Sequence, residues 1–139
     1  MAGYDRAAAI AYAHRWAFAR NLAFGVFDEI GGDCANFTSQ CLYAGGGVMN
    51  MAENGWYYRN MRDRSPSWTG VFFLNRFLVG NAGPGPYAEA RPLEGARPGD
   101  VFLMAFVEGI FTHSGLVVAV QSPDPSGILI AAHTIDSDN

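Results

Sequence analysis

The sequence Gly31-Gly32-Asp33-Cys34-Ala35-Asn36-Phe37-Thr38-Ser39-Gln40-Cys41 decides the fold of this chain. Its two glycines allow a sharp turn, and Asp33 is a good N-cap residue for a helix that begins at Cys34. Helical spacing of the apolar residues extends this helix to about Ala44, where a run of glycines ends it. Cys34 therefore lies in the first helical turn, where free backbone N–H groups and the helix dipole favour a thiolate. A nucleophilic cysteine is wanted at such a position.

The composition indicates one globular domain over residues 1–139. Half of the residues are hydrophobic and 16% are charged, which is typical of a chain that buries a core. The formal net charge of −4 argues against a nucleic-acid partner, because such proteins usually carry a basic stripe. No signal peptide opens the chain, and no apolar run is long enough to span a bilayer.

The two cysteines, Cys34 and Cys41, are not expected to form a disulfide. Their spacing on one helix places them about 10.5 Å apart along its axis. A disulfide needs Cα atoms within about 7 Å of each other. We therefore expect Cys41 to be a packed core thiol, and the cysteine count leaves the cellular compartment open.

The order of the predicted elements indicates an α+β domain. Alanine-rich sequence predicts a first helix over Tyr4–Arg20, and Ser67 is suited to cap another over Trp68–Leu78. The segment 45–66 between the two later helices is predicted to be mostly irregular. Three strands are predicted in the last third of the chain: Val101–Val107, Thr112–Gln121 and Ile128–Thr134. Helices followed by an antiparallel meander predict N-terminal helices packed on a sheet.

Cys34 gains chemical meaning from two histidines at the ends of neighbouring predicted strands. His113 opens one strand and His133 closes the next, so a hairpin brings these strand ends together. A thiol nucleophile needs a base within hydrogen-bond reach, and that base needs a third group to orient it. We expect the start of the Cys34 helix to pack on the first strand of the meander, which would supply this geometry.

The strand register decides which group is the third one. If Gln121 pairs with Ile128, His113 faces Asp136, and His133 lies on the opposite face of the sheet. A shift of one residue, or a bulge, places both histidines on one face as diagonal neighbours. Asp136 is therefore an alternative to His133 for the orienting role.

Residues 31–41 closely resemble the signature of the putative amidase domain family, a branch of the papain-like cysteine hydrolases. Asp33-Cys34, followed later by His113, is also similar to cell-wall peptidases of the NlpC/P60 type, which commonly have a histidine where His133 stands. The resemblance implies a papain-like, NlpC/P60-like α+β fold. It continues through these further segments: Trp56-Tyr57-Tyr58, Ser67-Trp68-Thr69, Pro98-Gly99-Asp100-Val101, His113-Ser114 and His133-Thr134.

The resemblance implies roles for individual residues. Cys34 would be the nucleophile and its backbone N–H the oxyanion donor, and His113 would be the base and then the acid for the leaving amine. His133, or Asp136 as the alternative, would orient His113 through a hydrogen bond. The implied reaction is hydrolysis of an amide through a thioester, without metal or cofactor.

The resemblance also implies a substrate class and a location. The substrate would be a peptide or another acyl-amide, with peptidoglycan as one candidate, and the location extracellular or at the cell wall. Family members usually run somewhat further than this chain, so we expect a closing segment to be missing or short. Aromatic residues offer a groove wall for substrate at Trp56, Tyr57 and Trp68, although such residues are more often core.

Three alternatives to hydrolysis are consistent with the same residues. Cys34, His113 and His133 could hold zinc, although the usual short-spaced pair of ligands is absent from the sequence. A non-catalytic module could use the same cleft to bind a peptide or glycan. An amine instead of water could also capture the thioester, which would give acyl transfer.

Overall fold

The computed structural model describes residues 3–133 together with the backbone of Ser137 and Asp138. Its helices are α1 (Arg6–Trp16), α2 (Cys34–Gly46), α3 (Pro66–Thr69) and α4 (Val71–Gly80). Its strands are β1 (Tyr58–Asn60), β2 (Asp63–Arg64), β3 (Val101–Val107), β4 (Ile110–Val120), β5 (Ile128–Ala132) and β6 (Ser137–Asp138). Single 3-10 turns lie at Leu22–Phe24, Leu93–Gly95 and Pro125–Gly127.

The chain forms a mixed α+β fold, in which N-terminal helices pack against small antiparallel sheets. The main sheet has the strand order β3-β4-β5-β6, and β1 and β2 form a separate two-stranded hairpin. The three strands predicted from sequence are present, and β3 has the predicted bounds. The hairpin interrupts the segment that was predicted to be mostly irregular.

Local hydrogen bonds set the ends of the first two helices. The Asp5 carboxylate accepts from Ala8 N–H at 3.0 Å and caps α1, which ends at Trp16 and not at the predicted Arg20. Helix α2 begins at the predicted Cys34 and runs two residues beyond the predicted end. Gly47 then adopts a left-handed conformation with φ 71°, which few other residues tolerate, and its N–H reaches Tyr43 O.

The helix predicted over Trp68–Leu78 is two helices, because the backbone of Gly70 is extended at φ −120° and ψ 125°. Ser67 does not cap it. Its hydroxyl donates instead to Gly55 O at 2.7 Å, and Ser65 occupies the N-cap position of α3. The tertiary bond to the loop before β1 has displaced the local cap.

The pairing of β4 with β5 differs from the register considered in the sequence. Val120 pairs with Ile128, and an irregularity between Val117 and Ala119 shifts the following pairs by one more residue. The last of these pairs joins Leu116 to Ala131, so Ser114 and His133 lie at one level two residues further on. Strand alternation consequently assigns His113 and His133 to opposite faces.

Two buried clusters enclose α2. One lies between α1, α2 and the main sheet, and the other is an aromatic cluster that includes Trp56 and Trp68. Cys41 belongs to the first cluster and has no exposed surface, so its prediction as a core thiol is confirmed. Burial raises the pKa of the Cys41 thiol far above its ordinary value. None of the described helices is long and apolar enough to cross a membrane.

Gly45→Ala should destabilise the fold because α1 approaches α2 at this glycine. An added Cβ would lie 2.5 Å from the Tyr4 ring and 2.9 Å from Asp5 O. We expect the free energy of unfolding to fall by about 1–3 kcal/mol in urea denaturation. Gly80→Ala is the matched control, since its Cβ would meet nothing within 4 Å, and it should raise stability by up to about 1 kcal/mol. Equal effects of both substitutions would contradict this account.

Candidate active site

Asp33 precedes Cys34 at the start of α2, but its carboxylate does not cap the helix as predicted. The side chain is fully buried and turned inwards. Its Oδ1 accepts hydrogen bonds from Phe27 N–H and from the Asn36 amide, each at 3.0 Å. Asp33 does not cap the helix because its carboxylate also binds a more distant partner through Oδ2.

That partner is His133, whose Nδ1 lies 2.6 Å from Asp33 Oδ2. Each of the two side chains has only 1% of its surface exposed. The Nε2 atom of His133 lies 2.7 Å from Trp16 O, and its ring stacks on Phe37 with centroids 4.0 Å apart. The end of β5, the end of α1 and the start of α2 therefore meet at one imidazole.

The acceptors around His133 restrict its protonation. A backbone carbonyl can only accept, so Nε2 donates its proton to Trp16 O. A bond between Nδ1 and Asp33 then requires one further proton, carried either by the ring or by the carboxyl group. The pair thus holds one proton more than a carboxylate beside a neutral imidazole, and its net charge is zero in either arrangement.

Arg20 extends this polar group towards the surface. Its Nε lies 3.7 Å from Asp33 Oδ2, and its guanidinium donates two hydrogen bonds to Asp28 at 2.8 and 2.7 Å. These bonds hold the pKa of Asp28 below its ordinary value, and the nearby His133 acts in the same direction. The Arg20 guanidinium therefore lies beside both carboxyl groups, that of Asp28 at the surface and that of Asp33 in the core.

Cys34 lies at the first position of α2 with 7% of its surface exposed. Its immediate neighbours are apolar: Ala35 and Val71 are buried with it, and Leu103 and Phe111 of the sheet pack against this cluster. The backbone N–H groups at the start of the helix, including that of Cys34, have no backbone acceptor among the described residues. This arrangement leaves donors beside the thiol for a developing negative charge.

His113 lies on β4, the strand that packs along α2. The neighbouring Ser114 hydroxyl is 2.9 Å from Thr38 Oγ1, and Thr38 donates to Cys34 O at 2.9 Å. Because Thr38 has a single hydroxyl proton, Ser114 must donate to it. This chain of bonds ties the backbone of Cys34 to the strand residue beside His113.

The structure places Cys34 and His113 on adjacent packed elements, and no hydrogen bond between their side chains occurs among the described contacts. Because the Ser114 side chain faces α2, strand alternation turns the neighbouring His113 towards the other face of the sheet. His113 pairs with Met104 across the sheet, next to an irregularity of the strand at its tip. Its ring is half-buried, and burial lowers its pKa below the ordinary 6.5. A neutral imidazole at pH 7 is the form that a general base requires.

The predicted ring hydrogen bond from His133 to His113 is not formed. Asp33 and Trp16 O occupy both ring nitrogens of His133, and Ser114, not His113, lies level with it. The alternative orienting residue, Asp136, lies outside the described residues. The register is the physical reason: a shift of one residue would place both histidines on one face, but the irregularity adds a second residue and returns them to opposite faces.

The two tryptophans proposed as groove wall lie in the core without exposed surface, which corrects that expectation. Their indole nitrogens donate into α2, Trp56 to Ser39 Oγ at 3.1 Å and Trp68 to Asn36 Oδ1 at 3.0 Å. Tyr57 is half-buried, so of the three it alone retains surface for a ligand.

The zinc alternative does not fit these contacts. Within the part of the chain that the structure describes, no three His, Cys, Asp or Glu side chains cluster as metal ligands would. His133 has no ring nitrogen left for a metal, since both are hydrogen-bonded inside the core.

The bond from His133 to the backbone carbonyl of Trp16 could not be predicted from the sequence, because any residue can supply a backbone carbonyl.

The comparisons with known proteins agree with the resemblance seen in the sequence. A family model described as "Putative amidase domain" matches residues 3–139. A curated relative, the uncharacterized protein YhbB of Bacillus subtilis (strain 168), is 33% identical over 138 residues. The alignment covers 96% of this chain and 42% of the relative, so the chain spans less than half of that protein's length. No solved structure matches the chain significantly.

His133→Ala should be strongly destabilising, because it leaves the Asp33 carboxyl group buried without its main partner. Removing one member of a buried ion pair costs about 3–5 kcal/mol in the free energy of unfolding, which urea denaturation measures. The exposed pair of Arg59 and Asp63, 3.0 Å apart, provides the control. Asp63→Ala should cost less than about 1 kcal/mol, and a similar small loss in His133→Ala would contradict the assignment.

Proposed function

Because the chain belongs to the putative amidase domain family, we propose that it is a cysteine hydrolase that cleaves an amide through a thioester. Cys34 is the proposed nucleophile and His113 the proposed base. This proposed pair of nucleophile and base is the one that papain-like and NlpC/P60-type hydrolases use. The observation that carries the proposal is the position of Cys34 at the start of a buried helix, whose first N–H groups have no backbone acceptor within the described part of the chain.

The proposed reaction has two steps. His113 takes the thiol proton while Cys34 Sγ attacks the amide carbon, and the oxyanion forms beside the Cys34 N–H. The C–N bond then breaks, His113 returns the proton to the leaving amine, and the acyl group remains on sulfur as a thioester. Water, deprotonated by His113, attacks the thioester and releases a carboxylic acid and the free thiol.

Three features support this assignment. The bonds from Ser114 to Thr38 and from Thr38 to Cys34 O hold the base-bearing strand against the nucleophile. The irregularity of β4 beside His113 lies where a local backbone change would re-aim its ring towards the thiol. Burial lowers the pKa of His113, which keeps its ring neutral at pH 7.

The substrate that we propose is a peptide or another acyl-amide, and peptidoglycan peptides are the first candidates. The wall around Cys34 is formed by Val71, Leu103 and Phe111, so an apolar group beside the scissile carbonyl suits it. His133 lacks the free ring nitrogen needed to orient His113. Asp136 therefore keeps that role as the proposed alternative.

Cys34→Ala should abolish hydrolysis of any substrate found in a screen of peptidoglycan fragments and acyl-amides, since it removes the attacking sulfur. Cys41→Ala is the matched control and should retain activity, because its thiol lies in the core. Iodoacetamide followed by peptide mass mapping should modify Cys34 well before Cys41. Equal modification of both thiols, or activity that survives Cys34→Ala, would refute the proposal.

The pH dependence should report the lowered pKa of His113. A base must be deprotonated, so activity should fall as the pH decreases through a midpoint below 6.5. The pH profile of Cys34 alkylation should show the same limb in the wild type, and in His113→Asn this limb should move to the ordinary range of a free thiol, about pH 8.5. His14→Asn, at an exposed position, is the control and should leave the profile unchanged. A wild-type activity profile whose acidic limb has its midpoint above pH 7 would contradict this role for His113.

A further inference from the structure

The buried pair of Asp33 and His133 is the feature of the site that the proposed chemistry does not use. Both side chains are enclosed, so neither has surface to offer a substrate. We propose that Asp33 and His133 are positioning residues, which lock the turn before Cys34 against the end of α1 and the end of β5. The inference rests on the proposed role of Cys34 as the nucleophile.

The Asp33 carboxylate is held from three directions. Phe27 N–H and the Asn36 amide donate to Oδ1 at 3.0 Å, and His133 binds Oδ2 at 2.6 Å. The backbone carbonyl of Asp33 also accepts from Phe37 N–H at 2.9 Å. Since Asp33 is bonded covalently to Cys34, a rigid Asp33 fixes the Cys34 backbone and with it the point from which the thiol projects.

His133 transmits this constraint to the rest of the fold. Its second nitrogen donates to Trp16 O in the last turn of α1, where the helix dipole favours a cation. Its ring lies flat on Phe37, which belongs to the core between α1, α2 and the sheet. A movement of the Cys34 turn would therefore break bonds in two other elements.

The ionisable groups that approach the pair among the described residues are Arg20, Asp28 and Tyr12. Arg20 and Asp28 approach from the surface side, and both engage each other through two hydrogen bonds. Tyr12 approaches from α1, and burial raises its pKa to about 12, so its hydroxyl stays neutral. A fixed pair with both ring nitrogens occupied suits positioning better than acid–base chemistry.

One variant, Asp33→Asn, keeps the hydrogen bonds that position the Cys34 turn but removes the proton shared between Asp33 and His133. In Asp33→Asn, Oδ1 still accepts from Phe27 and Asn36, and the new amide N–H can donate to Nδ1 of a neutral His133. His133 still donates from Nε2 to Trp16 O. All four bonds are retained while the additional proton of the pair is removed, whereas Asp33→Ala removes three of the bonds.

The experiment measures alkylation of Cys34 and Cys41 in one sample of each variant, with iodoacetamide as the probe. In Asp33→Asn, iodoacetamide should alkylate Cys34 at a rate within about threefold of the wild-type rate. Asp33→Ala should lower the Cys34 rate by at least about tenfold, because a displaced helix start loses its oriented donors. Cys41 is the internal control for unfolding and should stay protected in both variants.

Three results would overturn the proposal. A wild-type Cys34 rate in Asp33→Ala would show that the pair does not position the thiol. Exposure of both thiols together would show that the pair only holds the fold. Loss of hydrolysis in Asp33→Asn with unchanged Cys34 alkylation would show that the pair takes part in proton transfer. If Asp33→Ala does not fold, His133→Gln replaces it, since it leaves the Asp33 bonds to Phe27 and Asn36 in place.

A measurement on the wild type separates this inference from the proposed function. By NMR, the proton between His133 Nδ1 and Asp33 should exchange with solvent far more slowly than the ring protons of exposed His14, and it should be absent from Nδ1 in Asp33→Asn. Equal exchange at the two histidines would refute the buried pair. Inactivity of the wild type on every amide would refute the proposed function and leave this readout unaffected.

Discussion

The hydrogen bond between Asp33 and His133 is the contact on which the site depends. A carboxyl group without access to water is costly to bury, so each of its oxygens must find donors inside the protein. Asp33 finds them in a loop amide, a helix side chain and a histidine one hundred residues later. The end of α1, the start of α2 and the end of β5 are consequently joined by hydrogen bonds at His133.

Helix α2 is buried on every side although many of its residues are polar, and this explains its composition. Asn36 and Ser39 accept from the indoles of two core tryptophans, and Thr38 binds the strand through Ser114. Each polar group thus points to a specific partner in a neighbouring element. Because every bond has one geometry, the rotation of the helix is fixed, and with it the position of Cys34.

His113 and His133 have different roles in the proposed mechanism. His133 is enclosed and fully hydrogen-bonded, and its partners are structural. His113 is half-buried at the irregular end of β4, where burial lowers its pKa. The chain belongs to the putative amidase domain family, and the side chains that pack around Cys34 are apolar.

The sequence by itself determined the local elements: the turn and helix at Cys34, the three strands, the α+β class and Cys41 as a core thiol. These follow from spacing, capping and turn residues that act over a few positions. Only the tertiary structure decided that the side chains of Ser67 and Asp33 do not cap their helices. It also decided that Gly70 divides a helix and that His133 binds Asp33. Such choices depend on strand register and on partners distant in the chain, and a local pattern carries no information about either.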